Sequence, residues 1–156
     1  MFKVSSKGRY GVKAVYELAL HYGEGPLTVA LIAHAQNIPE QYLEQLMPSL
    51  KRAGIVKGMR GAQGGYVLAD RPDQISVKDV VKAVEGPILV ADCAGEDAPG
   101  CDASDRCIGP DVWTRVQEAV EETMAQMTFQ NLVETQRQHL KRWFLRWEQD
   151  LQMHGG

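Results

Sequence analysis

Long hydrophobic runs are missing from this chain, and so is any cysteine framework. No stretch approaches the ~20 apolar residues of a membrane-spanning helix. Residues 1–8 are polar and basic, with no apolar run of export-signal length behind them. The chain therefore reads as cytoplasmic, in a compartment that keeps thiols reduced. Cysteine occurs only three times in 156 residues, and the odd count argues against structural disulfides. Histidine is sparse too. His21, His34, His139 and His154 are scattered, no nucleophile–base pairing is suggested, and no phosphate-cradling loop precedes a helix. The sequence does not read as an enzyme.

What is present is concentrated. All three cysteines fall within residues 93–107, as Cys93-Ala-Gly-Glu-Asp-Ala-Pro-Gly-Cys101-Asp-Ala-Ser-Asp-Arg-Cys107. This stretch has almost nothing apolar to bury and reads as a loop that needs some other tie. Three thiols suggest a bound metal centre, and the rest of the chain reads as organised around it. The spacing, Cys-x7-Cys-x5-Cys, is wider than the close pairs usual for zinc. It suits a loop draped around a larger iron–sulfur cluster, with zinc and bare redox thiols as alternatives. Net charge is only −3, but residues 1–70 carry eight Lys/Arg against five Asp/Glu while residues 71–156 carry nine against fifteen. A basic amino-terminal half suits a polyanion, unless the clustering is chance.

With 44% apolar residues the chain can build one sound core, or a small domain plus an appendage. Periodicity predicts a helix over 7–22 capped by Ser6, with Val12, Val15, Tyr16, Ala19 and Leu20 inward. A second helix is expected over 28–36 (Val29, Ile32 and Ala33 inward). A third is expected over 40–53, burying Leu43, Leu46, Met47 and Leu50, with a kink at Pro48. The period then becomes alternating. Residues 55–59 and 66–68 read as strands joined by the glycine-rich 60–65. Three helices and a β-hairpin make a winged helix-turn-helix, so the expected class is mainly α (α+β), with a DNA-binding domain over 1–86. Ser76-Val-Lys-Asp79 resembles a capping box opening a fourth helix to about 85, with Val77, Val80, Val81 and Val84 inward.

Residues 87–110 form the cysteine loop. A long helix then starts at Pro110-Asp111, and its stripe of Val112, Trp113, Val116, Val120, Met124 and Met127 asks for a partner helix from a second subunit. With a short helix over 128–136 it would make a dimerisation unit, 111–136. The tail, 137–156, is an amphipathic helix with Leu140, Trp143, Phe144, Trp147 and Leu151 on one face. It reads as core or interface rather than as a membrane anchor.

On DNA, the exposed start of the third helix would meet base edges through Gln41, Tyr42, Glu44 and Gln45. Gln pairs with adenine, and a carboxylate can accept from the cytosine amino group. Glu44 is thus either a specificity residue or a solvated charge. Lys7, Arg9, Lys51 and Arg52 would serve phosphates, and Arg60 at the wing would enter the minor groove.

The chain resembles the IscR-type iron–sulfur cluster regulators, a family of winged-helix transcription factors, over residues 1–136. The resemblance is carried by Ser6-Lys-Gly-Arg-Tyr10, Tyr42-Leu-Glu-Gln-Leu46, Leu50-Lys-Arg-Ala-Gly54, Arg60-Gly-Ala-Gln-Gly-Gly-Tyr66, the three-cysteine loop and Cys107-Ile-Gly-Pro-Asp-Val-Trp113. It implies a homodimer on double-stranded DNA at a roughly palindromic operator, with no membrane partner. It also implies an iron–sulfur cluster (2Fe–2S favoured over 4Fe–4S) held by residues matching Cys93, Cys101 and Cys107. In the family a recognition-helix glutamate tunes base preference and a wing arginine enters the minor groove, positions held here by Glu44 and Arg60. Two positions depart from the pattern. Pro110 stands where 2Fe–2S members often supply a histidine, and Arg9 stands where nitric-oxide-sensing members place an acid. The fourth ligand is left to Asp111, Asp102 or Asp105, a water or a small thiol. The alternative is the same scaffold without a cluster, controlled by thiol oxidation, zinc or a partner protein.

Overall fold

The structure, a computed structural model, describes residues 3–95 and 106–154. Helix α1 (Ser6–Leu20) is its centre, touching the second, third, fourth and sixth helices and the second strand. Helices α2 (Val29–Gln36) and α3 (Glu40–Arg52) follow, then a two-stranded antiparallel sheet. Its strands β1 (Val56–Met59) and β2 (Gly65–Leu68) pair Val56 with Leu68 and Met59 with Gly65. A 3-10 turn (Pro72–Gln74) leads to α4 (Val77–Glu85), and α5 (Gly109–Gln126) and α6 (Phe129–His154) complete the chain. Among the described residues no helix is long and apolar enough to cross a membrane.

Local signals set most boundaries. Thr28 caps α2 by accepting the Leu31 N–H, and Ser76 and Asp79 form the expected capping box of α4. Helix α3 ends with Gly54 at φ 74°. There the Ile55 N–H reaches the Leu50 carbonyl at 3.0 Å and the Gly54 N–H reaches Lys51, a Schellman closure in which buried Ile55 meets buried Leu50. Pro48 does not break α3. It is exposed, so the carbonyl it leaves without a donor is on the solvent side.

Three expectations need correction. The cap of α1 is Ser5, whose hydroxyl accepts the Lys7 N–H at 3.1 Å, and Ser6 is already helical. The inward face of α1 is broader than the predicted stripe. Ala14 and Leu18 are buried, and Val12, Tyr16 and Leu20 only partly so, because α1 is enclosed from several sides. The short helix and the tail helix are one continuous α6 crossing position 136. It is capped by Thr128 and Asn131, and no glycine or proline interrupts it. Phe129, fully buried, and Val133 belong to the main core.

One polar cluster ties α1 to α2. The Glu17 carboxylate, 8% exposed, accepts from Gln36 Nε2 at 2.6 Å and contacts His21 Nε2 at 3.2 Å, while His21 Nδ1 lies 2.6 Å from Glu24. The hydrogen bond to Glu24, reinforced by the charge of Glu17, raises the His21 pKa above its ordinary value. A raised histidine stabilises the fold fully below its unfolded pKa, about 6.5. That contribution is lost as pH rises through the higher folded value. The urea midpoint should therefore fall between pH 6 and pH 8.5, and His21→Gln should flatten the fall. An equal slope in the variant would remove His21 as its source.

Candidate functional site

Two sets of sequence-predicted residues are placed on different parts of the molecule. On α3, Gln41, Glu44 and Gln45 are exposed on the side away from buried Leu43, Leu46, Met47 and Leu50. Tyr42 differs from them. Its ring is half-buried, edge-on to Tyr10 with centroids 5.2 Å apart, so it braces α3 against α1. It also lines a cleft with Lys7, Gln45 and Ser49.

Lys7 and Arg9 are exposed in the first turns of α1. What presents them is a clamp that sequence reasoning missed. Glu85, at the end of α4, accepts from the Ser5 N–H at 2.8 Å, the Gly8 N–H at 3.0 Å and the Ser5 hydroxyl. This carboxylate satisfies a donor the helix leaves open, where the helix dipole favours negative charge. Gly8 admits it, since a Cβ there would sit 2.5 Å from Glu85 Oε1.

Lys51 and Arg52 are exposed in the last turn of α3. Lys51 borders the wing, its Nζ 3.9 Å from where a Gly58 Cβ would lie. Arg60 is exposed just past β1. The wing is stitched to the body through Leu27, which exchanges backbone hydrogen bonds with Tyr66 at 3.0 and 2.8 Å. Gly65 permits this approach, because a Cβ there would lie 2.3 Å from the Leu27 carbonyl oxygen.

Cys93 and Cys107 lie on the two limbs of the cysteine loop. Cys101, with Asp102 and Asp105, lies outside the described residues. Gln117, buried on α5, takes the Val90 N–H at 3.4 Å, and Thr114 takes the Gly95 N–H at 3.2 Å, so the limb carrying Cys93 is seated on α5. Cys93 is partly buried and Cys107 is exposed. The Cys107 Sγ accepts the Gly109 N–H at 3.3 Å at the start of α5. Asp111 is exposed one turn further on, and Pro110 offers no side-chain donor. Among the described residues no three ligating side chains converge on one point. The donor chemistry nonetheless fits a thiophilic centre. Two sulfurs, one partly buried and one exposed, flank Cys101 in the sequence, and soft thiolates are the ligands such a centre takes.

Helix α5 joins the DNA-binding unit through Lys78 Nζ, 2.7 Å from Glu121 Oε2. The Lys78 ammonium holds the Glu121 carboxyl below the usual carboxylate range. Val112, Trp113 and Val116 are exposed on α5. Val116, Val120, Met124 and Met127 line an open apolar groove.

A helical triad with a β-wing, its third helix baring polar side chains beside basic residues, defines a winged helix-turn-helix transcriptional regulator. The chain belongs to the Rrf2 family, described as an iron-dependent transcriptional regulator, whose sequence profile matches residues 4–135. It is 40% identical over 130 residues to the HTH-type transcriptional regulator CymR of Bacillus subtilis, covering 83% of this chain and 88% of CymR. It is 36% identical over 134 residues to the regulator IscR of Xenorhabdus nematophila, covering 86% of this chain and 80% of IscR. Among solved structures, CymR of B. subtilis, the global cysteine regulator of that organism, superposes with TM-score 0.71 over 86% of this chain and 98% of that one, at 40% identity. IscR of T. potens superposes with TM-score 0.67 over 85% and 87%, at 38% identity. These relatives are transcriptional regulators, not enzymes.

Proposed function

We propose that this regulator binds a roughly palindromic operator as a homodimer, with an affinity set by an iron–sulfur cluster held by Cys93, Cys101 and Cys107. The observation that carries the reading is the seating of both described cysteine limbs on α5, one by Gln117 and Thr114 and the other by its own entry into the helix. The cluster, when bound, would supply a redox-active iron centre joining Cys93 on one limb to Cys107 on the other. Lys78–Glu121 connects α5 to α4, and Glu85 connects α4 to the start of α1. A change at the loop thus has a continuous structural route to Lys7 and Arg9. The exposed apolar face of α5 supports pairing with a second copy, which would set the separation of the two recognition helices. Half-sites about 34–36 Å apart suit such a dimer.

A second reading keeps the scaffold and omits the cluster. The 40% identity to CymR, a global cysteine regulator, favours it. Protein purified without oxygen separates the two readings. Visible absorbance with stoichiometric iron and sulfide supports the cluster, and colourless protein carrying zinc or no metal supports the alternative.

The DNA face makes its own prediction. Lys7→Ala or Arg9→Ala should weaken binding to all sequences alike and reduce the slope of log K against log salt by about 0.9 per lost phosphate contact. Gln41→Ala or Glu44→Ala should leave that slope unchanged and re-rank operator sequences, by about 1–3 kcal/mol at the affected base pair. Fluorescence anisotropy across a salt series reads both. A slope change for Glu44→Ala, or base-dependent losses for Lys7→Ala, would reverse the assignments.

A further inference from the structure

The matched family region ends at residue 135, yet α6 continues to His154. From 134 to 153 every residue is exposed, so this half of the helix stands off the body of its own chain. Helices in proteins draw most of their stability from packing an amphipathic face, and within its own chain this half packs none. This one also bares Leu140, Trp143, Phe144, Trp147 and Leu151, each about half exposed.

Leu140, Phe144, Trp147 and Leu151 step by four, three and four residues, the spacing of a coiled-coil seam. Trp143 flanks the seam, stacked on Trp147 with centroids 6.2 Å apart and edge-on to Phe144 at 5.2 Å, which makes the apolar face rigid. Lys141 and Glu148 occupy equivalent flanking positions, one heptad apart.

We infer that this segment pairs antiparallel with the same segment of a second copy of the chain. About a two-fold axis between residues 145 and 146, Leu140 faces Leu151 of the copy and Phe144 faces Trp147. The same axis brings Lys141 beside Glu148 of the copy, twice over. A parallel arrangement loses that complementarity and puts the two Arg137 side chains against each other at a seam position. A membrane surface is a poorer occupant, since Glu148 and Asp150 both border the apolar face, where an anionic lipid surface would want cations. The pairing requires neither a cluster nor DNA.

Sedimentation equilibrium at low salt, where exposed charges are least screened, tests this on the full chain. A chain ending at Gln136 keeps Phe129 and Val133, the last buried residues among those described, and so keeps the core. It should self-associate several-fold more weakly than the full chain. Lys141→Glu and Glu148→Lys should each weaken association, and the double reversal should restore it, with the Trp emission shifting to the blue as the pair forms. Equal association of full and shortened chains, or a double reversal as weak as either single one, overturns the inference. Pelleting with phosphatidylglycerol vesicles by the full chain and not the shortened one, in place of self-association, overturns it in favour of a lipid surface.

Discussion

Cys107→Ser is expected to leave protein prepared without oxygen colourless and without stoichiometric iron and sulfide. It should also erase the difference in operator affinity between cluster-loaded and cluster-free protein, which for linked sites of this kind amounts to roughly 5–150-fold. The substitution is mild for the fold. Cys107 is exposed, and a serine oxygen can still accept the Gly109 N–H that now meets Sγ at 3.3 Å. It is severe for the metal, because soft thiolates hold iron–sulfur clusters and a hard hydroxyl does not replace them. An unchanged urea midpoint beside a lost visible spectrum is the expected pair of results. A variant that keeps its colour removes Cys107 from the ligand set. A wild type that is colourless under the same care favours the cluster-free reading.

The largest stability effect should come from Phe129→Ala, far from any cysteine or DNA-facing residue. Phe129 is fully buried at the corner between α5 and α6. Its N–H donates to the Ile75 carbonyl at 3.0 Å, while the Val77 N–H donates to Met127 at 2.9 Å. These bonds fasten the corner to the entry of α4, and the ring fills the space behind them. Truncating a buried phenylalanine costs about 3–5 kcal/mol, a large part of a typical 5–15 kcal/mol. At roughly 2–4 °C per kcal/mol, Tm should fall by about 6–20 °C. Phe144→Ala on the exposed half of α6 should leave the Tm of the dilute, unassociated chain nearly unchanged. Calorimetry on both variants checks the contrast, and equal losses would contradict the projecting tail.

Much of the fold was legible because it is written in local chemistry. The Ser76–Asp79 capping box, the glycine after α3 and the glycine-rich wing act within a few residues of themselves, and periodicity alone identified the buried face of α3. The exposed side of that helix followed, which is why Gln41, Glu44 and Gln45 are found on the surface as expected. Tyr42 shows the limit. Its sequence spacing suits a base reader, but its ring packs edge-on against Tyr10, 32 positions earlier, and is partly buried. Glu85 shows it more sharply, since nothing near it in the chain announces a partner at Ser5, 80 positions away. Gln117 interrupts an apolar stripe and reads as surface until the 88–95 segment folds over it.

By itself the sequence determined the class of the molecule: helix periods, caps and turn glycines specify the three helices and the wing, and every cysteine is clustered within 93–107, the loop for which a cluster is proposed. Only the tertiary structure decided that α1, rather than the cysteine loop, is the element on which the others pack. It alone showed that a carboxylate from α4 closes the start of α1, and that α6 runs unbroken beyond the core. The reason lies in range. Caps and periodicity are fixed by neighbours along the chain, whereas burial, pairing of distant polar groups and the exposure of a helix face depend on which surfaces remain to be covered once the chain has closed.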